Sequence, residues 1–120
     1  MSAFRFTLEA PQYLPNHTNQ NGCQWSGVGG EVFDAAGNPL TGYVVRLWAA
    51  DMPRNAVSGD APAYGPSGYE FTLGDHPRAT AGFYVIELLD SAGRSVSPRY
   101  GLDTHAECDR NFVLVIFVED

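Results

Sequence analysis

The chain has 120 residues, of which 44% are hydrophobic and 18% charged; this length suits one domain, 1–120, that buries roughly two thirds of its open-chain surface. The composition excludes a disordered tail, a collagen and a coiled coil, and the longest apolar run, FVLVIFV at 112–118, is too short for a membrane span. Seven Arg, no Lys and 14 Asp and Glu give a net charge of −7, which argues against nucleic acid and anionic membrane as partners and leaves no lysine for Schiff-base or P-loop chemistry.

Residues 1–22 read as an N-terminal strand followed by coil, and 23–120 as the core. MSAFRFTLEA has neither the basic start nor the long apolar stretch of a signal peptide. Phe4, Phe6 and Leu8 alternate onto one side of a short strand. PQYLPNHTNQNG, rich in Pro and Asn, predicts coil. Its Asn16-His17-Thr18 fits a glycosylation sequon and is read as surface coil.

Strand and turn signals then alternate. GVGGEVFD places Val28 and Val32 on one face, and Gly37-Asn38-Pro39 punctuates a turn. The next strand turns Tyr43, Val45 and Leu47 one way and Val44, Arg46 and Trp48 the other. Residues 51–68 hold three Pro and three Gly and predict a long loop, functional or partly structured. YEFTL turns Tyr69, Phe71 and Leu73 inward. After a GDHPRATAG turn, FYVIELLD turns Tyr84, Ile86 and Leu88 inward, with Phe83, Val85, Glu87 and Leu89 outward. A short RYGLDT strand and the 112–118 strand follow. The latter is apolar on both faces, so it is either a covered central strand or an edge that meets a partner. About seven short strands, turns every 8–12 residues and no convincing helical pattern predict an all-β fold, an antiparallel sandwich, with closure into a barrel as the alternative. Its core is Val28, Val32, Tyr43, Val45, Leu47, Tyr69, Phe71, Tyr84, Ile86, Leu88 and one face of 112–118.

Cys23 and Cys108 stand before the first core strand and before the last. An even count with this placement predicts one disulfide and an oxidising compartment; two buried free thiols are the alternative. No CxxC exists, and no His stands at ligand spacing from either Cys, so no metal is expected. His17, His76 and His105 are far apart in sequence and read as bystanders. Gly65-Pro66-Ser67-Gly68 lacks the spacing of a nucleophile elbow. Glu70 and Glu87 are candidates to share an outer sheet face, where solvated strand positions explain them equally well. The Asp residues fall in turns without a calcium-loop pattern, so turn capping accounts for them. Trp48, Tyr64, Phe83 and Tyr100, at outward or loop positions, form the candidate binding surface; a second core layer beneath the N-terminal segment and the 51–68 loop is the alternative.

Residues 27–49, GVGGEVFDAAGNPLTGYVVRLWA, resemble the carboxypeptidase-regulatory-like or transthyretin-like domains, in which a G-x-V strand runs through a D-x-x-G-x-P-x-x-G turn into an x-V-x-L strand. Gly30, Val32, Asp34, Gly37, Pro39, Gly42, Val45 and Leu47 carry that pattern. The resemblance implies an Ig-like, transthyretin-like sandwich. More loosely, Tyr13, Pro15, Asn16, Cys23, Trp25, Tyr64, Gly65, Gly68, Cys108 and Asn111 are similar to bacterial modules at the C-terminal ends of secreted or surface proteins. The hydroxyisourate hydrolase of this fold ends in Tyr-Arg-Gly-Ser; this chain ends Phe117-Val118-Glu119-Asp120 and departs from it.

The resulting expectation is a non-catalytic, secreted or cell-surface module without cofactor. It would have a structural, adhesive or protein-interaction role beside other domains of a parent chain, with a homodimer through an edge strand as one form of contact. A carbohydrate-binding module using exposed aromatics is the alternative, and a transthyretin-like hydrolase the remote one.

Overall fold

The computed structural model describes residues 4–120; Met1–Ala3, the start of the expected N-terminal segment, lie outside the described residues. Eleven strand segments run in chain order: β1 Phe6–Leu8, β2 Gln12–Leu14, β3 Ser26–Gly30, β4 Val32–Phe33, β5 Val44–Ala49, β6 Met52–Val57, β7 Tyr69–Gly74, β8 Thr80–Leu89, β9 Tyr100–Thr104, β10 Phe112–Leu114 and β11 Phe117–Glu119. Two single 3-10 turns, Pro62–Tyr64 and Cys108–Arg110, are the helical segments among the described residues. The fold is all-β.

The strands form sheets of order β1-β11-β4, β2-β10-β3-β7 and β6-β5-β8-β9. The first two are joined end to end. Only Glu31 separates β3 from β4, and only Val115 and Ile116 separate β10 from β11. Across those breaks the Val115 N–H donates to Gly29 O at 2.9 Å and the Phe117 N–H to Glu31 O at 3.1 Å. Val28, Val32, Tyr69, Phe71, Val113, Val115 and Phe117 from this composite layer share one core with Val45, Leu47, Ile86, Leu88 and Leu102 of the third sheet. Alternation had placed Val28, Val32, Val45, Leu47, Tyr69, Phe71, Ile86 and Leu88 there, and all eight are buried; Tyr43 and Tyr84 pack against the core half-buried.

Several expectations change. The 11–22 segment, expected as coil, contains β2, a strand that earns its backbone partners from β10 (Tyr13 opposite Val113) and not from its own composition. The loop expected at 51–68 holds the six-residue β6, paired with β5 from Val44–Val57 to Ala49–Met52. Pro53 is tolerated because β6 is an edge strand. The 112–118 run is central, flanked by β2 and β3 and then by β1 and β4, and broken in the middle. The sandwich is not wholly antiparallel, since β10 runs parallel to β3 and β11 to β4. Glu70 and Glu87 lie in different sheets, on β7 and β8, and share no face.

Cys23 and Cys108 are joined, with Cα atoms 5.3 Å apart, tying the approach to β3 to the turn before β10. Beside them Asn111 is buried. Its Nδ2 donates to Gly22 O and Trp25 O, both at 2.9 Å, and its Oδ1 accepts the Asn16 N–H at 2.8 Å. One amide side chain therefore holds three points of the chain between Asn16 and Trp25.

Two turns repeat one design. In Asp34-Ala35-Ala36-Gly37-Asn38 and Asp90-Ser91-Ala92-Gly93-Arg94, the aspartate Oδ1 accepts the backbone N–H groups two and four residues on, at 2.8–3.0 Å. The glycine stands at φ +86° and +83°, where a side chain would be strained. Those bonds to backbone N–H groups hold both carboxyls below the usual carboxylate range.

Candidate functional site

The outer face of the β6-β5-β8-β9 sheet is organised in rows, because directly paired residues of antiparallel strands point to the same side. Pro53, Trp48, Val85 and Gly101 make one row across four strands. Asn55, Arg46 and Glu87 make the next, and Arg99 reaches it through Glu87. Phe83, two residues before Val85, is 48% exposed. An apolar stripe therefore runs beside a polar one.

Charge arrangement on this face is specific. Glu87, expected to be a solvated outward residue, is 2% exposed. The Arg99 Nε donates to its Oε2 at 2.5 Å and the Ser95 hydroxyl to its Oε1 at 3.3 Å. A carboxylate taken out of water is stabilised by such a counter-ion and hydroxyl. The Arg99 guanidinium, on a side chain 63% exposed, also lies 4.8 Å from the centre of the Trp48 ring, with Arg46 at 6.0 Å. Arg46 donates to Asn55 Oδ1 at 3.0 Å. The buried Trp48 Nε1–H has no acceptor among the described residues.

The four aromatics singled out from sequence do not form one surface. Trp48 and Phe83 share the face just described. Tyr64 lies against the other layer, where Gly29 leaves room for its ring: a Cβ there would stand 2.8 Å from Tyr64 Cζ. Its ring stacks on Phe112 at 5.3 Å, and Trp25 stacks on Phe112 at 6.2 Å. The Tyr64 hydroxyl donates to Glu70 Oε2 at 2.5 Å and meets Thr18 Oγ1 at 2.9 Å. Burial, reinforced by the Glu70 bond, pushes its pKa well above the usual phenol value. Tyr64 thus matches the alternative reading, a second packed layer. Tyr100 turns to the core, and its hydroxyl accepts the Leu8 N–H at 3.4 Å.

The remaining sequence candidates separate in the same way. Ser67 is fully buried; its hydroxyl donates to Glu31 Oε2 at 3.0 Å and accepts the Val32 N–H at 3.1 Å, so it locks a turn. His17 stands edge-on to Phe112 at 5.3 Å and His105 edge-on to Tyr13 at 4.4 Å. His76 differs. Its Nδ1 is 2.7 Å from Asp75 Oδ1, and its Nε2 accepts the Arg78 Nε–H at 2.9 Å. The acceptor role at Nε2 leaves the ring proton on Nδ1, directed at Asp75. That bond holds the Asp75 carboxyl below its ordinary value. His76 and Arg78 stand at a cavity of about 80 Å³, where Ser26, Tyr84 and Thr104 complete the polar wall. Sequence reasoning passed over this grouping, since only the convergence of β3, β7, β8 and β9 brings it together. Among the described residues, no group of three or more His, Cys, Asp or Glu is placed to hold a metal ion.

No protein-family model and no curated protein matches the chain. Among solved structures, it is similar to the dioxygenase domain of a dioxygenase carbohydrate-binding protein fusion from the cellulolytic bacterium Streptomyces sp. SirexAA-E. The identity is 14%, the TM-score 0.48, and the match covers 92% of this chain and 90% of that one. This corrects the expectation of a non-catalytic structural, adhesive or protein-interaction module: the similar domain is named an enzyme, and that expectation is not retained. A likeness at this level carries no residue role or reaction to the present chain. Among the described residues, no helix is long and apolar enough to cross a membrane.

Proposed function

We propose that the domain recognises carbohydrate through the outer face of the β6-β5-β8-β9 sheet, in an oxidising compartment outside the cytosol. The observation that carries this reading is the pair of adjacent rows: Pro53, Trp48 and Val85, with Phe83 beside them, against Asn55, Arg46 and Arg99, the last anchored on the buried Glu87. A pyranose ring has the same division, an apolar C–H face and a rim of hydroxyls. Ring faces supply contact area at low entropic cost, and the polar row supplies donors and acceptors on a rigid support. The unpartnered Trp48 Nε1–H supports the reading, because native buried donors nearly always find an acceptor.

The Cys23–Cys108 disulfide supports the extracellular part. The D-x-x-G turn at Asp34–Gly37, with its hydrogen-bonded Asp34, supports placement beside carboxypeptidase-regulatory-like and transthyretin-like sandwiches, appended to a larger chain. The reading assigns this face binding and assigns it no reaction.

A glycan array followed by calorimetry tests it. The folded protein should bind a defined glycan set. Trp48→Ala and Phe83→Ala should each weaken binding by about tenfold or more, the loss expected for a central aromatic anchor. Tyr64→Phe, on the other layer, should leave binding unchanged. Absence of glycan binding by the wild-type protein, or unchanged affinity in Trp48→Ala, overturns the reading.

A further inference from the structure

The cavity at the ends of β7 and β8 is independent of the glycan face. Its volume, about 80 Å³, is a few times the roughly 30 Å³ share of a water molecule, so it suits a group of a few heavy atoms. Its polar wall consists of Ser26, His76, Arg78, Tyr84 and Thr104, and no carboxylate lines it. In a chain with 14 acidic residues against seven arginines, that selection favours an anion.

The positive group is also held in place. Arg78 spends its Nε–H on His76 Nε2, and His76 is itself anchored on Asp75. The backbone of Arg78 is fixed from the other side, where the Thr104 hydroxyl donates to Arg78 O at 2.7 Å and meets Thr80 Oγ1 at 2.7 Å. With Nε engaged, the guanidinium presents its terminal N–H groups, a fork that matches two oxygens in one plane. Ser26, buried at the start of β3, adds a hydroxyl to the wall.

We propose that this cavity is a carboxylate-binding site, with Arg78 as the anion-binding residue and His76 and Asp75 as positioning residues. The carboxylate can belong to a small free acid or to a larger ligand such as a uronic sugar; the chemistry recognised is the same.

Amide chemical shifts of the labelled, disulfide-bonded protein test the proposal with acetate, glucuronate, phosphate and the neutral acetamide. Acetate should produce saturable shifts centred on Ser26, Gly74 and Thr104, and acetamide none. Arg78→Gln should weaken acetate about tenfold, the value of one charge-assisted fork. Arg78→Lys, which keeps the charge but not the fork, should weaken it as well, with the remaining spectrum unchanged as evidence of folding. His76→Ala should weaken acetate less than Arg78→Gln, since it loosens the arginine without removing it. Tighter binding of glucuronate than acetate would support a sugar acid as ligand, and equal binding a free acid. Equal shifts with acetamide, phosphate binding as tightly as acetate, or unchanged affinity in both Arg78 variants would overturn it. Trp48→Ala should leave acetate binding intact, so a failure of the glycan reading and a failure of this one are distinguishable.

Discussion

Replacing Asn111 by Ala removes three hydrogen bonds at one stroke. The side chain is 2% exposed, and the bonds run to Gly22 O, Trp25 O and the Asn16 N–H at 2.8–2.9 Å. A hydrogen bond contributes about 1 kcal/mol net, and a group left buried without a partner costs about 1–3 kcal/mol. The Trp25 O bond is buried, whereas those to Gly22 and Asn16 are part-buried and admit water in replacement. The expected loss is about 2–4 kcal/mol, a large share of the roughly 5–15 kcal/mol that a domain possesses. Urea unfolding followed by tryptophan fluorescence, with the disulfide intact, measures it, and the buried Trp25 lies inside the affected region. Asn111→Asp keeps the acceptor for Asn16 but turns a carboxylate toward two carbonyl oxygens, so it should cost at least as much as Ala. A loss below about 0.5 kcal/mol for Asn111→Ala, the range of ordinary surface changes, would refute the reasoning and show that water replaces the amide at all three points.

Two further perturbations follow from the same structure. Ile86→Ala, at a fully buried position paired with Leu47, should cost about 2–5 kcal/mol in the same unfolding assay; a surface-like value would mean that β8 does not present Ile86 to the core. Asp34 and Asp90 have folded pKa values below the ordinary 3.8, so each contributes stability that is present above that value and lost as pH falls through the folded pKa. The Asp34→Asn, Asp90→Asn double variant, which keeps the Oδ1 acceptor of each turn but cannot titrate, should lose less stability than wild type between pH 4 and pH 2 on an acid-unfolding curve, and parallel curves would rule this out.

Much of the sandwich was legible in the order of residues, because strand alternation is a local signal. Val45 and Leu47 point inward and Trp48 outward whatever the neighbouring strand is, and Ile86 and Leu88 follow the same rule. The D-x-x-G turn at Asp34 is equally local, since its bonds close within five residues. Cys23 and Cys108 were legible from count and placement alone.

What only the tertiary structure decided depends on partners distant in sequence. β2 and β6 lack a pattern of their own and exist because β10 and β5 present free backbone groups to them. Glu87 occupies an outward position that alternation marks as solvated, yet Arg99 and Ser95 close over it and make it a buried ion pair. Tyr64 and Tyr100 have the composition of a binding surface, but Gly29 and Phe112 in one case and the core in the other determine where those rings go. The grouping of His76 and Arg78 with Ser26, Tyr84 and Thr104 spans almost 80 positions of the chain. No local rule brings them together; the convergence of β3, β7, β8 and β9 does, because sheet packing sets which strand ends meet.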